Sequence, residues 1–181
     1  MNKVISVLYS IKSLVSYIFK SVDEDDSVWA NFPTVMMKSL KEGCLVKGIS
    51  VQKVQLVKCS HRGKPAWAQN DAMMEAYVHG MDYAYRINDD TLLKTPGWTE
   101  HFITVLSSMD PPNVGVVGPT HLGGNMNILT YDFTSSVHID IFGFHYPKIF
   151  TDWYAGIELN SLVCPYLTII FYEKIYFNDK M

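Results

Sequence analysis

The chain has 181 residues, 48% of them hydrophobic and 18% charged, with a formal net charge of −3. That length suffices for one domain with a sizeable core, and the composition is that of a globular chain, not a disordered one. Scattered lysines and arginines in a net acidic chain leave no electrostatic footprint for nucleic acid, and Cys44, Cys59 and Cys164 form no CxxC pair, so neither a zinc site nor a disulfide framework is indicated.

The first apolar run, VISVLYSIKSLVSYIF (4–19), is interrupted by Lys12 and four serines. It is shorter than the ~20 residues that span a bilayer. Lys3 ahead of it is a faint signal-peptide feature, but no small-residue cleavage site follows. Val4, Val7, Leu8, Ile11, Leu14, Val15 and Ile18 recur at helical spacing, which predicts an amphipathic helix over 3–16 packed on a sheet. YIFKSV (17–22) reads as a short strand running into the acidic stretch DEDD (23–26). PTVMMKSLKEG (33–43) reads as a helix opened by Pro33 and stopped by Gly43.

KVQLVKC (53–59) is a strand by its β-branched content, HRGKP a turn, and PAWAQNDAMMEAYVHG (65–80) a helix opened by proline and closed by glycine. DYAYRIN (82–88) is a strand, GWTEHFITVLSSM (97–109) a helix, VGVVGP (114–119) a buried strand and TSSVHIDIFG (134–143) a helix. LTIIFYEKIYF, in the tail, reads either as a strand that fills an exposed sheet position or as the product of an altered or truncated gene end. Alternating strands and helices predict an α/β fold with a mainly parallel sheet flanked by helices, in a single domain over 1–181. Ligands of such folds sit beyond the carboxyl ends of the strands. Asp89 and Asp90 stand at such an end, where two carboxylates either cap the following turn or hold a hard divalent cation.

The helix, strand and acidic pair together, KPAWAQNDAMMEAYVHGMDYAYRINDD, resemble the nucleotide-sugar-dependent glycosyltransferases of the GT-A fold, in which an acidic DXD-like motif ends a strand. PGW (96–98), VGVVGP, ILTYDF (128–133), HIDIFGFHYP (138–147) and FTDWY (150–154) follow in the order found in one branch of that superfamily. The resemblance covers residues 17–160, with 161–181 a divergent tail. It implies a Rossmann-like GT-A domain that binds a nucleotide-diphospho-sugar through Mn²⁺ or Mg²⁺ and transfers the sugar to a hydroxyl acceptor.

By the same resemblance Asp89 and Asp90 bind the metal, while Asn88 and Asn70 belong to the metal–nucleotide site with Asp89. In that family an acidic pair after the NWW-like segment can serve as the base; here Glu158, one residue beyond that position, and Asp152, the other local carboxylate, are the candidates to substitute, with a solvent-facing helix residue the alternative for Glu158. Apart from the resemblance, Asp132 and Asp140 are candidates for acceptor hydrogen bonds; His138 lines an acceptor pocket, ligates metal or packs in the interior, and Trp153 stacks on a sugar face or lies in the core. Two departures stand out. Gly156 and Ile157 occupy the positions of the family's acidic pair, and the strand that opens a GT-A domain is missing before the expected first helix, as in a truncated domain. Both departures also suit a catalytically inactive GT-A-like module that serves in binding or interaction. A third reading is another metal-dependent phosphate enzyme built on the same carboxylates; no P-loop or GxGxxG stretch supports ATP or dinucleotide binding. No transmembrane segment is expected, and residence in the secretory pathway or the cytoplasm is equally compatible with the sequence.

Overall fold

The computed structural model describes residues 6–12, 15–23, 26–46, 51–88, 91–93, 95–121, 129, 131–151 and 168–179. Strands β1 (Ser6–Lys12) and β2 (Val15–Asp23) form an antiparallel hairpin. Helices α1 (Ser27–Asn31) and α2 (Pro33–Val46) lead to β3 (Val51–Cys59), and α3 (Pro65–Val78) leads to β4 (Tyr83–Asn88). Next come β5 (Thr91–Leu93), α4 (Trp98–Ser107), β6 (Gly115–His121), β7 (Phe133–Ser135), α5 (Val137–Phe142) and β8 (Thr168–Asp179). The strands form one sheet of eight in the order β3-β2-β1-β4-β7-β6-β8-β5.

Helix α3 forms where the sequence places it. Pro65 sits in its first turn, where a missing N–H costs nothing, and Ala66, Gln69, Ala72, Met73 and Ala76 recur at helical spacing on its buried face. It ends in the two-bond glycine termination: Gly80, at φ +72°, donates its N–H to the carbonyl of Tyr77, and Met81 donates to that of Ala76. Helix α2 runs through Gly43 to Val46, so that glycine is not its stop. An interior glycine costs a helix only about 1 kcal/mol and ends it only when the backbone turns left-handed there.

The helix expected over 3–16 does not form. The described part is a strand, with β1 paired to β2 from Val7↔Lys20 to Lys12↔Val15 and to β4 from Ser6↔Asn88 to Ile11↔Tyr83. A short apolar run fits either period, and ladders on both sides satisfy the backbone as fully as a helix would. LTIIFYEKIYF lies, from Thr168 onward, in a strand, β8, between β6 and β5.

The sheet is mixed, not mainly parallel by pairing. Among the described residues only β2–β3 and β6–β8 are parallel; the other five ladders are antiparallel. Strand direction is another matter. Because β1 is antiparallel to both β2 and β4, those two run the same way. Because β7 is antiparallel to both β4 and β6, β6 joins them. Thus β2, β3, β4, β6 and β8 share one direction, and β1, β5 and β7 oppose it.

Two layers of helices cover this sheet. On one face Leu40 of α2 and Trp98, Phe102 and Leu106 of α4 pack against Ile18, Tyr85, Ile87, Val117 and Phe133. On the other, α3 packs against Phe19, Val57 and Ala84, and Ala66 meets Val116, Leu129 and Tyr146. The faces separate by the two-residue period of a strand: Tyr85 and Ile87 look one way, Ala84 and Arg86 the other. Among the described residues no helix is long and apolar enough to cross a membrane.

Candidate functional site

The shared direction of five strands brings their carboxyl ends to one edge of the sheet. β2 ends there at Asp23, β3 at Cys59, β4 at Asn88, β6 at His121 and β8 at Asp179, and β5 starts there at Thr91, opposite Asp179. The chain steps from β2 to β3 on one side and then crosses to β4 on the other, so the sheet order reverses at this edge. Open α/β sheets bind ligands in the crevice where the order reverses. Here β1 fills that position, running against its neighbours.

The turn after β3 contributes to the edge three strand spacings from β4, ~14 Å along the sheet. Its Gly63 takes φ +72°, a left-handed conformation that a side chain would strain. His61 Nε2 lies 2.9 Å from Asp71 Oδ2, and Lys64 Nζ lies 3.9 Å from the centre of the Trp67 ring. Within the acidic stretch, buried Asp26 accepts a 3.3 Å hydrogen bond from the Trp29 N–H and so caps α1.

Below the edge, on the α3 face, lies a buried charged cluster. Arg86 of β4 donates from Nε to Asp132 Oδ1 at 2.8 Å, and its backbone N–H donates to the Asp132 carbonyl at 3.0 Å. His145 Nε2 donates to Asp132 Oδ2 at 2.5 Å, and the Tyr146 hydroxyl donates to Asp132 Oδ1, also at 2.5 Å. Asp132, His145 and Tyr146 are fully buried and Arg86 is nearly so. Burial alone would drive the Asp132 carboxyl upward, but Arg86 and then His145 hold it well below the usual carboxylate range. The same burial raises the Tyr146 hydroxyl well above its ordinary value, so it stays a donor.

The loop after α5 is fixed in turn by Asn70 of α3. Its Oδ1 accepts from the N–H groups of His145 at 3.1 Å and Tyr146 at 2.7 Å, and its Nδ2 donates to the Tyr146 carbonyl at 2.7 Å. His138 of α5 donates from Nε2 to the His145 carbonyl at 3.0 Å, which leaves its Nδ1 without a hydrogen-bond partner among the described residues.

These contacts occupy three of the residues singled out from sequence. Asn70 does not present its amide to a cofactor, because that amide holds the His145–Tyr146 backbone. Asp132 does not face an acceptor, because both its oxygens are bonded inside the core. His138 is buried beside Phe142 and His145 and is likewise turned to packing. Asp140 is exposed and accepts a 2.6 Å bond from Tyr77. Asn88 closes β4; Asp89, Asp90, Asp152, Trp153 and Glu158 lie outside the described residues. Trp67 bonds the Lys148 carbonyl at 3.1 Å and Trp98 lies in the core. Arg86, His145 and Tyr146 do not stand out in the sequence as site residues. The available signal was a charge in the middle of an apolar strand, which a core accepts only when it is paired.

Among the described residues no group of three or more histidine, cysteine or acidic side chains is placed to hold a metal. No family model matches the chain, and neither a curated protein nor a solved structure does.

The cluster makes acid the condition that weakens the fold. Burial, reinforced by the nearby His145, lowers His138 from 6.5 to about 4. Unfolded chains therefore take up a proton on His138 that the folded protein refuses, and stability falls as pH drops from 6.5 towards 4, by about 3 kcal/mol in all. Asp132 adds a loss at still lower pH, since its folded-state value lies below the unfolded one of 3.8. Urea midpoints measured between pH 7 and 4 should fall for the wild type and fall less for His138→Gln. Parallel curves for the two proteins would contradict this assignment.

Proposed function

We propose that the chain is a GT-A-like glycosyltransferase domain. It binds a nucleotide-diphospho-sugar through Mn²⁺ or Mg²⁺ at Asp89 and Asp90 and transfers the sugar to a hydroxyl acceptor. One observation carries this reading: β4 ends at Asn88, immediately before the two carboxylates, at the edge where five strands present their carboxyl ends. The donor set suits a hard cation, which prefers carboxylate and phosphate oxygens. Such an ion neutralises the diphosphate that leaves. The segments carrying the family resemblance also converge in space. Asn70, Arg86 of RINDD, Asp132 of ILTYDF and His145-Tyr146 of HIDIFGFHYP form one bonded cluster.

The rest of the chemistry falls to protein groups. The acceptor hydroxyl must lose its proton to a base within hydrogen-bond reach, and Glu158 and Asp152 are the carboxylates proposed for that step. A second reading is favoured by Gly156 and Ile157, which stand where the family has its acidic pair. In that reading the domain keeps metal–nucleotide binding, lacks transfer, and serves as an interaction module. Calorimetric titration of UDP and GDP, with and without Mn²⁺, tests both. Metal-dependent binding that disappears in Asp89→Ala/Asp90→Ala supports the site, and donor hydrolysis then separates enzyme from module. A folded wild type that binds neither nucleotide would overturn the reading for those donors.

A further inference from the structure

Strand β4 is supported unequally along its two sides. On the β1 side it is paired along its whole length, from Tyr83 to Asn88. On the β7 side pairing stops at Tyr85↔Phe133. One more backbone bond follows, from the Arg86 N–H to the Asp132 carbonyl. Beyond it no ladder partner adjoins Ile87 or Asn88 on that side among the described strand pairs. The side chain of Arg86 takes over there. Its guanidinium is anchored to the Asp132 carboxylate, and that carboxylate is itself fixed by His145 and Tyr146, whose backbones Asn70 holds.

We propose that Asp132 is a positioning residue for the carboxyl end of β4, acting through Arg86 to fix the backbone of Ile87 and Asn88. Hydrogen bonding through a shared carboxylate is directional, and every acceptor oxygen of Asp132 is used by a group on a different element: β4, or the loop after α5 that α3 restrains. A shift of the carboxylate would therefore move the strand end. The consequence for ligand binding rests on the function proposed above; the consequence for the strand does not.

Tyr146→Phe removes one bond to Asp132 and keeps the packing; Asp132→Asn removes the charge and keeps the shape. Amide exchange in β3 (Val51–Cys59), at the far edge of the sheet from the β4 end, gauges general destabilisation in each variant. Two quantities are read: backbone amide exchange at residues 86–93 in the free protein, and affinity for UDP or GDP with Mn²⁺. We expect faster exchange at 86–93 in Tyr146→Phe and Asp132→Asn, with exchange in β3 changed much less. Affinity should weaken about ten-fold, the lower end of what groups behind metal ligands contribute. Exchange at 86–93 that is unchanged in Tyr146→Phe and in whichever Asp132→Asn protein folds, or that rises no more than exchange in β3, overturns the proposal. A wild type that binds no nucleotide sinks only the functional reading, and the exchange rates still decide the positioning role.

Discussion

Asp132→Ala is expected to lower the free energy of unfolding by about 3–5 kcal/mol, the range for removing one partner of a buried ion pair. Alanine takes away both acceptor oxygens. Arg86 is then left charged in the core, because a guanidinium does not shed its proton in a protein. His145 Nε2 and the Tyr146 hydroxyl lose their acceptor as well, and each unsatisfied buried donor costs about 1–3 kcal/mol when nothing replaces it. The penalty is one of broken pairing and not a measure of what the pair contributes to folding. Arg86→Met/Asp132→Leu, which removes both charges and roughly keeps volume, should therefore be more stable than Asp132→Ala. Urea denaturation of the three proteins checks this, and a double variant less stable than the single one would contradict it.

Gly118→Ala should cost about 3 kcal/mol, at the upper end for overpacking a core. A Cβ built at Gly118 would stand 2.1 Å from Leu129 Cδ1 and 2.4 Å from the carbonyl oxygen of Tyr131. The leucine can rotate, but the carbonyl belongs to the backbone of the segment that enters β7, so that segment must move away from β6. Asp132 is the next residue along. The substitution thus loads the charged cluster as well as the local packing. Thermal unfolding followed by near-ultraviolet circular dichroism reads both effects. A melting temperature within a degree or two of the wild type would show that the segment yields more easily than its surroundings imply.

These two residues mark where the sequence is informative and where it is not. Helix α3 is legible because its signals are local: proline at its start, an apolar face, and Gly80 at its close. β3, β4 and β6 are legible from runs of β-branched and aromatic residues. The first hairpin is not, since Val7, Leu8 and Ile11 satisfy helical and extended spacing alike, and the deciding partners lie in β2 and β4. Strand direction is legible only in part. The alternation of helices and strands announces parallel strands, and five do share a direction, but β1 and β7 interleave among them and turn most ladders antiparallel.

At the candidate site the contrast is sharper. Adjacent carboxylates after an apolar strand are visible to inspection, and β4 ends just before them. The assignment of Asn70, Asp132 and His138 to ligand contacts came from their place in motifs, and motif order does not reveal which way a side chain points. Asp132 meets Arg86 from 46 positions away and Tyr146 from 14. No local pattern encodes such a meeting. What the sequence does contain is the demand for it: a buried arginine and a buried aspartate each need a partner, and each can satisfy the other. Gly118 is similar, because a glycine in a strand signals a close approach without saying by what.

The most direct test of the account is paramagnetic broadening of backbone amide signals by substoichiometric Mn²⁺, with UDP or GDP present. The account predicts that amides at the carboxyl end of β4 and the start of β5, from Ile87 to Leu93, broaden first, followed by those at the ends of β2 and β6, and that Asp89→Ala/Asp90→Ala abolishes the effect. Broadening centred on the opposite edge of the sheet, at Val51, Tyr83 or Gly115, or unaffected by that double substitution, would contradict it.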